Sequence, residues 1–384
     1  MLSDAITVRL GLAGLVVTAL REGEEGIEVA TRYAGEEAAC PRCGRMTWQV
    51  HQWRQQRKRD ARLWDRPVWL LLWKRRFRCR RCRYVFTETD PVCGRRRRTT
   101  CRLRGTVARQ ADEATVRAVS RWEGVSEGLV QRSWHEAHLT PPLPDRPHVF
   151  LGLDGFCVRR PGRMWSGLWD LETRNPIAVI PGERQQDLQT LLERHASRTT
   201  VRAVAIDLAE PARQALHLVL PDAAIVADKF HVVALAGRAL HEVHGEHRLR
   251  GTVAWLLQRG IERLSTADKT RLAAALQSDP LLTTAWTLKE ELRRVYRAPT
   301  LAAAERALAT WIRDAEASGL RPFVRTARTL RRWRTEVLNY WRYPITNAVV
   351  EGKHNRVKVL KRRAYGYRNN RTFQLRILNL IHTH

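Results

Sequence analysis

The sequence is short of acid. Its 384 residues carry 39 Asp and Glu against 68 Lys and Arg, a net charge of +29 at neutral pH. The shortage is uneven. Residues 40 to 110 hold 22 basic and 4 acidic side chains, residues 351 to 384 hold 9 and 1, and the rest of the chain contributes only +3. Two clustered positive surfaces on a nearly neutral body imply a polyanionic partner, although charge alone does not separate DNA from RNA or a membrane surface. Long apolar runs are missing as well. The longest near the start, Gly11 to Leu20, is far below the roughly 20 residues that span a bilayer, and an acidic run, Glu22 to Glu28, follows it. It reads as a strand. No signal peptide or membrane anchor is recognised, so a cytoplasmic, reducing setting without a membrane partner is expected. Cysteine is scarce, and there the seven thiols read as metal ligands or free thiols, not disulfides.

Core material is not scarce: hydrophobic residues make up 44%, and the length suits about two or three domains. Residues 1–39 alternate as two short strands about Glu22 to Gly26, a β-hairpin. Residues 40–98 form the next segment. It opens on Cys40-Pro-Arg-Cys43, closes its metal site with Cys79-Arg-Arg-Cys82, and holds 35 residues between the pairs, among them the strand-like Val68 to Trp73. A Cys-x2-Cys turn offers two thiolates to one tetrahedral ion, and two such turns complete a closed structural zinc site; a redox motif would come singly, at a helix start. Cys93, Cys101 and Cys157 have no such spacing and read as buried or free thiols. Arg95, Arg96, Arg97 and Arg98 make the ribbon basic and suited to phosphates.

Residues 99–140 read as a helix-turn-helix. Asp112 to Ser120 and Ser126 to His138 have helical spacing, Gly124 breaks between them, and Ser126 is placed to cap the second helix, which offers Gln131, Arg132 and His135. Two packed helices with no DNA contact would show the same pattern. Residues 141–147 are a Pro-rich linker. In residues 148–384, His148 to Val158 reads as a buried strand with Asp154 in it. Strands near Met164 to Leu171 and Pro176 to Ile180, a helix from Gln185 to His195, and apolar strands Val201 to Leu208 and Ala223 to Val226 follow, giving a mixed α/β sheet. Asp207 and Asp228 sit at or just past the last two strands. A carboxylate at an apolar strand end is costly unless paired, and a metal ion is its natural partner. A later helix places Glu351, Asn355 and Lys358 at i, i+4 and i+7, with Arg362 continuing the face, an acid followed by bases where a plain solvated face would alternate signs. Residues 235–340 read as a mostly helical insertion carrying Trp255, Trp286, Trp311 and Trp333. Core packing is the expected job of these tryptophans, with base stacking at a distorted DNA end as the other reading for one of them.

These blocks resemble the ISL3-family insertion-sequence transposases. The resemblance covers the two Cys-x2-Cys turns, the helix pair, the Asp154 strand, Ala205-Ile-Asp207, the block from Pro221 through Asp228-Lys-Phe-His231, and the stretch from Thr346 through Glu351 and Asn355 to Tyr365-Gly-Tyr, nearly the whole chain. Ala234 stands where the family commonly carries a basic residue. The resemblance implies a multidomain α+β protein whose ribonuclease-H-like core uses Asp154, Asp207 and Glu351 as the catalytic acids holding two Mg²⁺, with Mn²⁺ able to substitute, and Asp228 beside them. It implies one structural Zn²⁺ on Cys40, Cys43, Cys79 and Cys82. Lys353, Asn355, Lys358, Lys361 and Arg362 would lie along double-stranded DNA, both transposon ends and target. Bridging two ends implies a homodimer or larger assembly, nucleoid-associated. A DNA-binding regulator that no longer cuts, and a junction nuclease on the same fold, are the rival readings.

Overall fold

The computed structural model describes residues 14–94, 96–138, 147–159, 163–246, 252–364 and 369–379. The chain divides near residue 140 into two compact units.

In the first unit, β1 (Leu15–Gly23) and β2 (Gly26–Tyr33) form an antiparallel hairpin. Its turn needs glycine at position 26, where φ is 130° and an added Cβ would stand 2.2 Å from the Pro67 carbonyl oxygen. Next come the short pair β3 (Ala38–Ala39) and β4 (Met46–Thr47), the long strands β5 (Val50–Leu63) and β6 (Arg66–Arg78), and β7 (Val85–Thr87). Trp64 and Asp65, both at positive φ, turn β5 into β6 as a two-residue hairpin loop does. The hairpin of residues 15–33 shares a sheet with the ribbon: β2 pairs in parallel with β6, from Ile27 opposite Val68 to Arg32 opposite Trp73, giving the order β1-β2-β6-β5 with β7 on β6. Alternate residues Val68, Leu70 and Leu72 of β6 turn inward at the strand period of two.

Three helices follow, α1 (Cys101–Glu113), α2 (Val116–Glu123) and α3 (Glu127–Ala137), capped by the hydroxyls of Thr100, Thr115 and Ser126. This corrects the expected helix from Asp112 to Ser120, which straddles a break: Ala114 and Thr115 are extended, and Thr115 starts a new helix. α1 was not foreseen, because Arg102, Arg104 and Arg109 mask the inward stripe of Leu103, Val107, Ala108 and Ala111. Gly124 ends α2 in the left-handed region, and Ser126 caps α3 as its sequence position suggests.

In the second unit, β8 (Phe150–Arg159), β9 (Arg163–Asp170) and β10 (Asn175–Pro181) make an antiparallel meander. After α4 (Gln185–His195), β11 (Ala203–Ile206) returns parallel to β8; after α5 (Glu210–Val219), β12 (Ala224–Ala227) lies parallel to β11. The sheet order is β10-β9-β8-β11-β12. A helical array follows: α6 (Lys229–Glu246), α7 (Thr252–Gln258), α8 (Thr266–Gln277), α9 (Pro280–Val295), α10 (Leu301–Ala317), α11 (Arg321–Arg332) and α12 (Arg334–Leu338). It starts at once after β12, and its Leu292, Leu308 and Trp333 join Leu151, Leu153 and Ile206 of the sheet in one apolar cluster. The other sheet face, with Phe156, Trp165, Trp169 and Val179, is covered by α13 (Ala348–Arg363) and α14 (Asn370–Leu378) through Val350, Val357, Phe373 and Ile377. No described helix is long and apolar enough to cross a membrane.

Candidate functional sites

The cysteine pairs sit on matched turns. Gly44 N–H donates to the Cys40 carbonyl at 2.8 Å, and Arg83 N–H donates to the Cys79 carbonyl at 2.9 Å. Gly44 and Arg83 both take positive φ, so each chain reverses at the same point after its first cysteine. Cys40 Sγ lies 3.6 Å from Cys82 Sγ, and Cys43 Sγ 3.6 Å from Cys79 Sγ. All four sulfurs lie within 4.8 Å of one another, with Phe77 and Phe86 packed beneath. Backbone N–H groups of Cys82 and Arg81 hold the Cys79 thiol down at about 6, so it is poised to give the thiolate a metal requires. The four thiol donors and their close grouping fit one zinc ion.

Three acids of this unit are spent inside it. Asp60, fully buried, accepts from the Thr100 hydroxyl at 2.6 Å and is paired with Arg102. Glu88 grips Arg75 at 2.7 Å, and Asp90 takes Lys74 at 3.1 Å and the Tyr33 hydroxyl at 2.9 Å. One groove of this unit is rich in bases. A groove of about 1560 Å³ is lined by Arg57, Arg76, Arg96 and Arg98 and by the start of α3 at Val125 and Ser126. Of the expected phosphate contacts, Arg96 and Arg98 are exposed, Arg97 is held by Glu136 at 2.7 Å, and Arg95 lies outside the described residues. Gln131 and Arg132 are exposed on α3.

In the second unit, strand register brings three acids together. Ile206 of β11 stands opposite Leu153 of β8 and Ala227 of β12. The next residue in each case is an aspartate, so Asp154 within β8 stands beside Asp207 and Asp228, which lie just past the carboxyl ends of β11 and β12. Burial and then the like charge of Asp154 hold Asp207 above the ordinary carboxylate range. Asp228 goes the other way. Burial alone would raise it, but the His231 ring at 3.1 Å and the Asn347 N–H at 2.9 Å hold it below that range, and Phe230 N–H donates at 3.1 Å. Its oxygens are already in use.

Asp228 thereby ties the start of α13 to the sheet. Asn347 Nδ2 also donates to the Leu153 carbonyl at 3.3 Å, and His354 Nδ1 lies 3.3 Å from Asp154 Oδ2. His354 is buried between Phe156 and Trp169, and its Nε2 has no hydrogen-bond partner among the described residues. Gly152 permits the approach, since a Cβ there would stand 2.7 Å from Asn347 Oδ1. Asn347 and His354 flank Glu351 on one side of the helix, at i−4 and i+3. The Glu351 side chain lies outside the described residues. Asn355, Lys358 and Arg362 are exposed, Lys353 and Lys361 partly buried, and Lys358 Nζ donates to Asn355 Oδ1 at 3.3 Å. Among the described residues, only the four cysteines place three or more ligand atoms within 4.8 Å of one another. Asn347, His231 and His354 escaped the sequence reading, although they lie inside its quoted blocks. The signal was the helical spacing on the other side of Glu351.

The sheet with acids at its carboxyl end and the four-cysteine ribbon together define a class, a zinc-ribbon protein joined to a DDE-type transposase domain. A family model for that domain of ISL3 elements, described as a transposase, matches residues 151–377, and a second, described as the zinc-finger of transposase IS204/IS1001/IS1096/IS1165, matches residues 36–82. The chain belongs to the ISL3 transposase family. It is 29% identical over 361 residues to the transposase for insertion sequence element IS1001 of Bordetella parapertussis, covering 88% of this chain and 87% of that one. It is 25% identical over 258 residues to the transposase for IS1557 of Mycobacterium tuberculosis, covering 57% of each.

Proposed function

We propose that this chain binds the terminal inverted repeats of its insertion sequence as double-stranded DNA and catalyses strand cleavage and strand transfer at the carboxylate end of the second unit's sheet. The observation that carries this is the register that sets Asp154, Asp207 and Asp228 abreast, with the Glu351 helix pinned beside them. Open sheets with parallel strands bind ligands at the carboxyl ends where strand order switches, and β8 with β11 is that switch. The strand order and the covered faces support the ribonuclease-H-like reading, with residues 148–384 as the catalytic domain and 235–340 as its helical insertion.

The donor set fits Mg²⁺, with Mn²⁺ able to replace it: carboxylate oxygens at a site where burial and its neighbour's charge raise Asp207 and, among the described residues, no Lys or Arg forms an ion pair with it. Asp154, Asp207 and Glu351 are the residues to hold two such ions, which when bound activate an attacking hydroxyl and stabilise a leaving oxygen. Asp228 has a different task. It accepts from His231, Phe230 and Asn347 and so fixes where α13 begins. Asn347 and His354 then keep that helix against β8, and Asn355, Lys358 and Arg362 present themselves to a phosphate backbone.

In the first unit, the three helices with a Ser126-capped α3 support a helix-turn-helix reading. The groove bases, with Gln131 and Arg132, serve end recognition. One zinc ion fixes the ribbon. Holding two ends requires at least a dimer, and a cytoplasmic protein resident on the nucleoid follows.

The test is incubation of the full chain with labelled element ends and Mg²⁺, against Asp154→Ala, Asp207→Ala and Glu351→Ala. Wild type nicks and joins, and each variant binds but loses about 10³-fold or more in cleavage. Binding by wild type without cleavage in Mg²⁺ or Mn²⁺ would turn the reading into a DNA-binding regulator. Cleavage of branched junctions without joining would make it a nuclease.

A further inference from the structure

The four tryptophans of the helical array divide. Trp311 and Trp333 are fully buried, Trp311 donating to the Leu288 carbonyl at 2.7 Å, and Trp286 packs partly buried against the same core. Trp255 on α7 is different: 49% of it is exposed, and it lines a groove of about 970 Å³ together with Phe230, itself 59% exposed. Two large aromatics left in water on one concavity is unusual enough to ask what covers them.

Chemistry narrows the answer. Among the described residues no Asp or Glu lines the groove, while Arg238, Arg259 and Arg263 do. Arg259 lays its guanidinium 4.0 Å from the ring centroid of the half-exposed Trp255, a cation–π contact on the groove wall. The remaining two cations are structural. Lys289 is buried, pairs with Glu290 at 2.7 Å, and donates to the Leu257 and Arg259 carbonyls at 2.8 and 2.7 Å, which fixes the end of α7 and so the place of Trp255. Arg293 is held by Glu262 and Glu290. Position along the chain matters too. Phe230 opens α6 two residues after Asp228, whose carboxylate holds its N–H at 3.1 Å, so the groove begins next to the acid end of the sheet. From there it runs along one face of α6 past Ala234 and Gly237, where an added Cβ would meet nothing within 4 Å.

We propose that this groove takes an unpaired nucleotide of a DNA strand, its base stacked against Trp255 and Phe230 and its phosphates met by Arg238 and Arg259. Bases inside a duplex already have their faces covered, so exposed aromatics select a base that has left the stack, and flanking arginines select a polyanion over an apolar peptide. The inference rests on the reading that the protein acts on DNA ends, and it adds that the end is distorted when bound.

The test measures binding of the full chain, by fluorescence anisotropy, to two probes: a blunt duplex of the element's end, and the same duplex with a five-nucleotide single-stranded extension. Wild type should favour the extended probe by about tenfold. Trp255→Ala should remove that preference without changing blunt-duplex affinity, Trp255→Phe should keep most of it, and Arg259→Ala should weaken it. Equal preference in wild type and Trp255→Ala overturns the proposal, as does wild type that binds the blunt duplex and ignores the extension. A Trp255→Ala variant that changes only the oligomeric state assigns the groove to a protein contact instead. Loss of blunt-duplex binding in wild type would count against the DNA-end reading itself, and Trp255-dependent binding of the extension would still support the groove.

Discussion

The ribbon and the carboxylate end of the sheet both gather side chains of kinds that can ligate a metal, built in opposite ways. The cysteines come as two local turns with the same hydrogen bonding, and their sulfurs already converge within 4.8 Å. The aspartates come from three strands and converge only through register. Burial first and then the charge of Asp154 raise Asp207, while Asp228 is held down by its donors. The first site is organised by its own chain segment, while the second is organised by everything around it and left electrostatically unsatisfied. A structural ion and a working ion need these two environments respectively.

Breaking the ribbon should have the largest effect. Replacement of Cys40 or Cys79 by Ser, or stripping of zinc by a chelator, removes metal-linked folding energy on the order of 10 kcal/mol. Limited proteolysis should then open the first unit while the second stays resistant, and bound zinc should fall from about one per chain to none. Retention of a protected first unit without zinc would erase the contrast drawn above.

At the other site the comparison sharpens between neighbouring acids. Asp228→Ala strands the Asn347 and Phe230 N–H groups and should cost about 1–3 kcal/mol in a denaturant titration. Asp207→Asn should do the reverse in metal-free protein, raising the melting temperature because a repelled charge is gone, and it should abolish the further rise that Mg²⁺ or Mn²⁺ gives to wild type. If both substitutions destabilise equally, the division between a tying acid and a metal-holding acid fails. Gly152→Ala should match Asp228→Ala in size. It pushes on Asn347, Leu171 and Val350 and should cost about 1–3 kcal/mol while displacing α13, read as lost cleavage with retained DNA binding.

Acid titration gives the smallest effect. Asp90 has its carboxyl held below the ordinary value of 3.8, burial being outweighed by the Cys93 N–H, the Tyr33 hydroxyl and Lys74. A depressed carboxylate contributes stability that is complete above its unfolded value and is lost as pH falls through the folded one. The first unit should therefore weaken only below about pH 4, and Asp90→Asn should flatten that limb. Asp207 has the opposite sign: its ionisation costs stability as pH rises from 3.8 to its folded value, so Asp207→Asn should be most stabilising near neutral pH without divalent ions.

Much of this was legible beforehand where the signal was local. The Cys-x2-Cys turns, the Ser126 cap and the glycine break before it, and the strands ending at Asp207 and Asp228 all declare themselves within a few residues. The α1 helix did not, because its arginines hide a buried stripe, and the expected helix across Ala114 ignored the capping power of Thr115. His354 was passed over for a related reason: periodicity from Glu351 was followed toward Asn355 and Lys358, while the buried side of the same helix carried the contact to Asp154.

The sequence by itself determined the donors, the zinc knuckles and the basic character of both ends, because composition and short-range spacing act before folding is complete. Tertiary structure alone decided that β2 joins the ribbon's sheet, that Asp228 ties a helix in place while Asp207 is left strained, and that Trp255 of four tryptophans faces water. Each of these depends on pairing or packing between segments distant in the chain, and no local pattern encodes which partner a strand edge, a carboxylate or an indole will meet.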